Sequence, residues 1–202
     1  YYIPFPESRE DAQELIEILR PFFESETITK IGQNLKYDIK VLKKYNIEVK
    51  GFIFDTMIAH YLINPDMRHN MDVLAETYLK YSPKPIEDLI GKKGKGQKTM
   101  RDVSLEEIKE YAGEDADVTI QLKQIFEPKL EQTQTKELFE KIEVPLVSVL
   151  ADMEAEGIRL DISYLKTLSN ELSIEAKTLE TRIYETADET FNLASPKQLG
   201  EI

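Results

Sequence analysis

Twice within the first 62 residues, a short strand pattern runs directly into a helical one, and this repeat constrains the fold more than any other feature. Residues 29–32 (TKIG) read as a strand, and residues 37–45 as a helix with Ile39, Val41 and Leu42 turned inward. Residues 52–55 (FIFD) read as another strand, and residues 56–62 as the helix that follows it. Before them, residues 1–5 read as a strand closed by Pro4 and Pro6. Residues 9–23 then place Ala12, Leu15, Ile16, Ile18, Leu19, Phe22 and Phe23 at helical spacing, with Ser8 and Asp11 as a candidate capping box. Alternation of this kind predicts an α/β domain with a largely parallel sheet.

The pattern breaks at Asn64-Pro65-Asp66. Residues 72–79 read as a helix. Residues 81–98 hold Pro83, Pro85 and a run with glycines at 91, 94 and 96 and lysines at 92, 93, 95 and 98, which reads as a mobile basic loop. Ser104 and Glu107 open a strong helical segment over 104–126, and Pro128 is expected to end it or start the next element. Residues 135–156 are helical, with Leu138, Ile142, Leu146, Val149 and Met153 on one side and a kink expected at Pro145. A turn and a short extended piece over 157–161 lead into a long amphipathic helix at 162–188. Ser195 and Pro196 read as the cap and first position of one more helix.

Composition narrows the chemistry. The chain has no cysteine, which excludes disulfides, thiolate catalysis and cysteine zinc sites and fits a cytoplasmic protein. It has two histidines, too few for a histidine-rich metal site. No apolar run approaches the ~20 residues that span a bilayer, so no membrane partner is expected. The net charge of -12 argues against a broadly basic nucleic-acid surface. Carboxylates that hold divalent cations add to the same negative count, so charge alone leaves a nuclease open.

Three groups of residues could carry chemistry. The first is Asn34-Leu35-Lys36-Tyr37-Asp38, where a strand meets a helix. Ligands of open α/β sheets bind at the C-terminal ends of strands, and Asp38 falls there in the first helical turn. A plain structural role is the commoner reading of such a pattern, since Asn34 suits a cap and Asp38 suits the helix dipole. The second is the run from Tyr111 to Asp117, in which Tyr111 and Asp115 share a helix face. Its alternative is a solvated acidic surface. Asp38 and Asp115 together suggest a hard divalent cation. Two such ions roughly 4 Å apart can hydrolyse a phosphodiester, given three or four carboxylates. The third is the basic loop, whose Lys92, Lys93 and Lys95 either touch DNA backbone or are merely solvated; Arg68 and His69 could face the same cleft.

These residues also match a family. KIGQNLKYDIKVL, residues 30–42, resembles the second exonuclease motif of the bacterial DNA polymerase I family (family A), and YAGEDADVT, residues 111–119, resembles its third. FDTMIAHYLINP and RHNMDVLAETYL fall between them in the family's order. EKIEVPLVSVLADMEAEGIRLD and FNLASPKQLGEI resemble the start of the polymerase domain and the thumb segment after it.

The resemblance implies a 3′–5′ exonuclease domain of ribonuclease H-like fold over residues 1–130, followed by thumb helices of the polymerase domain over 131–202. It implies that Asp38 and Asp115 are catalytic metal ligands, that Tyr111 positions the attacking water, and that Asn34 contacts DNA or braces the site. The implied cofactors are two divalent cations, Mg2+ or else Mn2+ or Zn2+, and the implied partner is the single-stranded 3′ end of DNA. The family's first motif, an Asp-x-Glu on its first strand, has no counterpart on a strand here. The chain is therefore expected to lack the first strands and half of the metal ligands, to be inactive by itself, to hold no metal, and to self-associate through open sheet edges, whereas the intact polymerase is expected to be a monomer that proofreads during replication and repair. The alternative is a non-catalytic module that braces the polymerase.

Overall fold

The two strands predicted to feed helices lie side by side. β1 (Lys30–Gly32) runs parallel to β2 (Ile53–Asp55), with Ile31 opposite Phe54 and Gly32 opposite Asp55. Each passes straight into a helix: α2 (Leu35–Lys43) two residues after β1, and α3 (Thr56–Ile63) immediately after β2. The computed structural model describes residues 2–202. Among these, β1 and β2 are the whole of the sheet.

The helix expected at the start is α1 (Arg9–Phe23), with the Ser8 hydroxyl accepting the Asp11 N–H at its N-terminus. The strand expected at 1–5 is absent over residues 2–5. Pro4 and Pro6 cannot donate to a ladder, and neither described strand pairs with this segment. Instead, the Phe5 ring leans on Tyr45, their centroids 6.2 Å apart.

After α3 come α4 (Met71–Leu74), a wide π-turn at Ala75–Leu79, α5 (Glu87–Ile90) and a 3-10 turn at Met100–Asp102. α6 (Leu105–Gln132) starts on the predicted Ser104 cap but does not stop at Pro128. Gln124, whose carbonyl loses its partner to that proline, faces water, while Phe126 and Leu130 are buried on the other side and hold the helix together.

α7 (Lys136–Leu138), a second π-turn (Phe139–Glu143) and α8 (Val144–Glu156) follow. Pro145 cannot donate to the Lys141 carbonyl, and the turn just before it is the widened one, so the expected kink takes the form of a π-turn. This changes which face is buried. Leu138, Ile142, Leu146, Val149 and Met153, read as one apolar side of the helix, are all exposed. Phe139, Val144, Val147 and Ala151 enter the core. The five-residue step from Phe139 to Val144 matches a π-turn rather than a regular helix.

The core joins sheet and helices: Ile53 and Phe54 of β2, Ile39 of α2, Leu122, Phe126 and Leu130 of α6, and the buried residues of the 139–151 segment. Phe139 sits 5.0 Å from Phe54, centroid to centroid. The chain forms two compact units, Tyr1–Glu156 and Gly157–Ile202. The second holds α9 (Ile162–Ala187), capped by the Asp161 carboxylate, and α10 (Pro196–Leu199), capped by Ser195 as expected. No described helix is long and apolar enough to cross a membrane. The first unit is thus a small α/β domain with a short parallel sheet, consistent with a truncated ribonuclease H-like fold, and long helices resembling a polymerase thumb follow it.

Candidate active site

The frame of the site is a buried carboxylate that motif reading passed over. Asp55, at the C-terminal end of β2, is 1 % exposed. Its Oδ1 accepts the N–H groups of Asn34 (3.1 Å) and Met57 (2.9 Å), and its Oδ2 accepts that of Leu35 (2.7 Å). One side chain therefore caps α3 and ties down the entry to α2 as well. Burial pushes its pKa up, against the pull of these backbone donors. An Asp directly before a helical pattern is a readable cap signal; its second task, reaching across to the neighbouring strand's loop, has no local signature.

Asn34 occupies the cap position of α2 in the left-handed region, at φ 59° and ψ 47°. Its side chain makes no capping bond; what it supplies is backbone geometry that asparagine tolerates. Two residues earlier, a Cβ at Gly32 would press on the Leu35 side chain, which would have to shift to make room.

Asp38 and Asp115 line two clefts that meet at Ile31 and Gly32, the end of β1. The Asp38 cleft, about 560 Å3, is walled mainly by apolar side chains including Phe5, Ile16, Leu19 and Phe22. Asp38 is exposed as a residue, yet crowding of its carboxyl raises its pKa, with the Asp55 charge adding to the effect. Asp115, in a cleft of about 310 Å3 with Gln33, Met71 and Thr119, is half-buried. Desolvation, then the charges of Glu114 and Asp72, raise its pKa to about 6. No cation pairs with either carboxylate among the described residues.

Tyr111 stands one turn before Asp115 on α6, in a separate cleft of about 710 Å3. Burial and then the Asp115 charge push its phenol up to about 12, so at neutral pH it donates a hydrogen bond rather than taking a proton. Glu114, which the sequence places in this acidic run with a solvated surface as the alternative, anchors the far wall of that cleft: it accepts the Tyr81 hydroxyl and, at 3.0 Å, the Lys84 N–H.

His69 is tied inward. Its Nδ1 faces Nδ1 of the fully buried His60 at 2.7 Å, and its carbonyl accepts the Gln33 amide at 2.7 Å. This links the 64–70 segment to the end of β1. Arg68 is exposed and makes no ion pair among the described residues. Lys92, Lys93 and Lys95 are exposed on a loop closed by the Lys98 N–H bonding to the Ile90 carbonyl at 2.9 Å, with Gly91, Gly94 and Gly96 all at positive φ.

Among the described residues, no group of three or more His, Asp or Glu side chains converges in a way that could hold a metal ion. Asp38 and Asp115 alone supply too few oxygens for a pair of hard cations, and the arrangement in this chain does not fit such a pair.

A family model described as a 3′–5′ exonuclease matches residues 1–131, well over half of the chain. The chain belongs to the 3′–5′ exonuclease family of DNA polymerase I. It is 43 % identical over 185 residues to the DNA polymerase I of Rhizobium leguminosarum, covering 91 % of this chain and 18 % of the relative. It is 40 % identical over 205 residues to that of Pseudomonas aeruginosa, covering all of this chain and 22 % of the relative. It therefore spans about a fifth of the length of these DNA polymerase I relatives. Among solved structures, the POL domain of Pol1 from M. smegmatis, in complex with DNA primer-template and dNTP, matches 95 % of this chain and 29 % of its own. The TM-score is 0.74 at 23 % identity, a likeness of fold.

Proposed function

We propose that this chain is the exonuclease portion, with the beginning of the polymerase domain at residues 131–202, of a DNA polymerase I that removes nucleotides from the single-stranded 3′ end of DNA. The observation that carries this reading is Asp115: a carboxylate without a cationic partner, held half-buried and with its pKa near 6, beside the end of a parallel strand. Keeping an unpaired carboxylate there costs stability, and such sites are characteristic of function. Asp38, on the adjoining cleft, is this chain's second contribution, and Tyr111 donates a hydrogen bond to the water or phosphate that reacts.

The two divalent cations of the family's chemistry, Mg2+, Mn2+ or Zn2+, need more carboxylates than these two. By itself the chain is accordingly inactive, and its apolar cleft beside Asp38 favours self-association. Arg68, Lys92, Lys93 and Lys95 are read as the DNA-facing set, the lysines meeting phosphates, while Asn34 and His69 brace the site from behind.

The test is shortening of 5′-labelled single-stranded DNA with Mg2+ or Mn2+. The polymerase that carries this segment is expected to remove single nucleotides, and Asp38→Ala or Asp115→Ala to slow it at least about 100-fold. The 202-residue chain is expected to match its own Asp115→Ala control. An Asp115→Ala polymerase that digests DNA at the normal rate overturns the assignment.

A further inference from the structure

Residues 132–156 lie beyond the match to the exonuclease family, yet they are packed into its core. Phe139 is 1 % exposed against Phe54, and Val147 and Ala151 of α8 join the cluster that holds Ile39 of α2. The seam between α2 and α8 is closed by ions. Glu154 takes Lys36 on Oε1 at 2.5 Å and Lys40 on Oε2 at 2.7 Å, while Lys43 pairs with Asp152. Lys36 and Lys40 stand two residues to either side of Asp38.

We infer that α8 belongs mechanically to the exonuclease unit and that Glu154 is a positioning residue, fixing α2, and through it Asp38, by holding Lys36 and Lys40 at once. The inference rests on the reading of Asp38 as a catalytic carboxylate. One carboxylate bridging two lysines a turn apart fixes both the height and the rotation of α2, which a single exposed pair does not do. The same helix resembles the start of the polymerase domain, so a displacement there is transmitted to the exonuclease site.

The experiment pairs amide hydrogen exchange on the 202-residue chain with exonuclease kinetics on the polymerase that carries it. Glu154→Lys is expected to speed exchange of the α2 amides about 3- to 10-fold, leaving α3 and α6 unchanged. In the polymerase it is expected to lower kcat several-fold with KM for DNA unchanged. Lys36→Glu with Lys40→Glu in the Glu154→Lys background is expected to restore both. Unchanged α2 exchange, uniform acceleration across all helices, or no recovery in the reversed set overturns the inference. Faster α2 exchange with unchanged kcat also overturns it, and Asp38→Ala in the same polymerase then tells which part failed. If Asp38→Ala abolishes activity, Glu154 does not position it; if activity survives, the reading of Asp38 is itself wrong.

Discussion

The Nδ1 atoms of His60 and His69 face each other 2.7 Å apart, so one ring must donate and the other accept. His60 is also 3.0 Å from the Tyr78 hydroxyl through Nε2 and packs against the Phe126 ring. Burial, and then the facing His69, lower its pKa from 6.5 to about 4. A base whose pKa is depressed on folding binds fewer protons in the native state, so its stabilising contribution is complete above 6.5 and is lost as pH falls through 4. Urea unfolding from about pH 7 down to about pH 4 is expected to show a loss of about 1–3 kcal/mol from this source, and His60→Gln to flatten that slope.

Asp115 has the opposite linkage. Its pKa is raised from 3.8 to about 6, so the folded state binds the extra proton and the cost of the charge is fully present at neutral pH. Asp115→Asn is expected to stabilise the chain by about 1–2 kcal/mol at about pH 7, a gain that shrinks as pH drops below 6, while removing exonuclease activity from the polymerase. Thermal melts of the two proteins at both pH values check the sign.

Asp55→Ala is expected to cost about 3 kcal/mol or more, because it strips the cap from α3 and leaves the Asn34 and Leu35 N–H groups without their acceptor. Asp55→Asn is expected to cost less, since one oxygen remains. Denaturant midpoints of the two variants separate these expectations.

The glycine-lysine loop is expected to act through salt-sensitive phosphate contact. Replacing Lys92, Lys93 and Lys95 with Gln is expected to lower the slope of log K against log salt for single-stranded DNA by about 2, at roughly 0.7 per contact. A titration series across salt concentrations measures this directly, and an unchanged slope removes these lysines from the interface.

Local rules made much of this legible. Helical spacing and a serine cap placed α1 at Arg9–Phe23 and the start of α6 at Leu105, and helical spacing alone placed the start of α9 at Ile162. Apolar runs placed both strands. What escaped was decided at a distance. The 2–5 segment has strand composition but no neighbouring strand to bond with, and Pro128 is tolerated because the carbonyl it orphans faces water. Asp55 gathers donors from a loop 20 residues away, and His60 finds its partner nine residues on, across a turn. In the site, the tyrosine and the two aspartates were readable as candidates for chemistry, whereas the wall-holding roles of Glu114 and Asp55, which lie in the same motif stretches, were not.

The stripe read over 138–153 failed for a different reason, and it bears on how this segment tolerates change. A π-turn is a helix carrying one surplus residue. Phe139 and Val144 reach the same core only because that surplus sits between them. Removing any one residue from 139–143 would regularise the hydrogen bonding, yet it would swing everything downstream by about 100° around the helix axis. Val147 and Ala151 would turn out to water, and Glu154 away from its lysines. The register of this helix is thus stored in chain length rather than in side-chain identity, and a single-codon deletion there should do more harm than most substitutions.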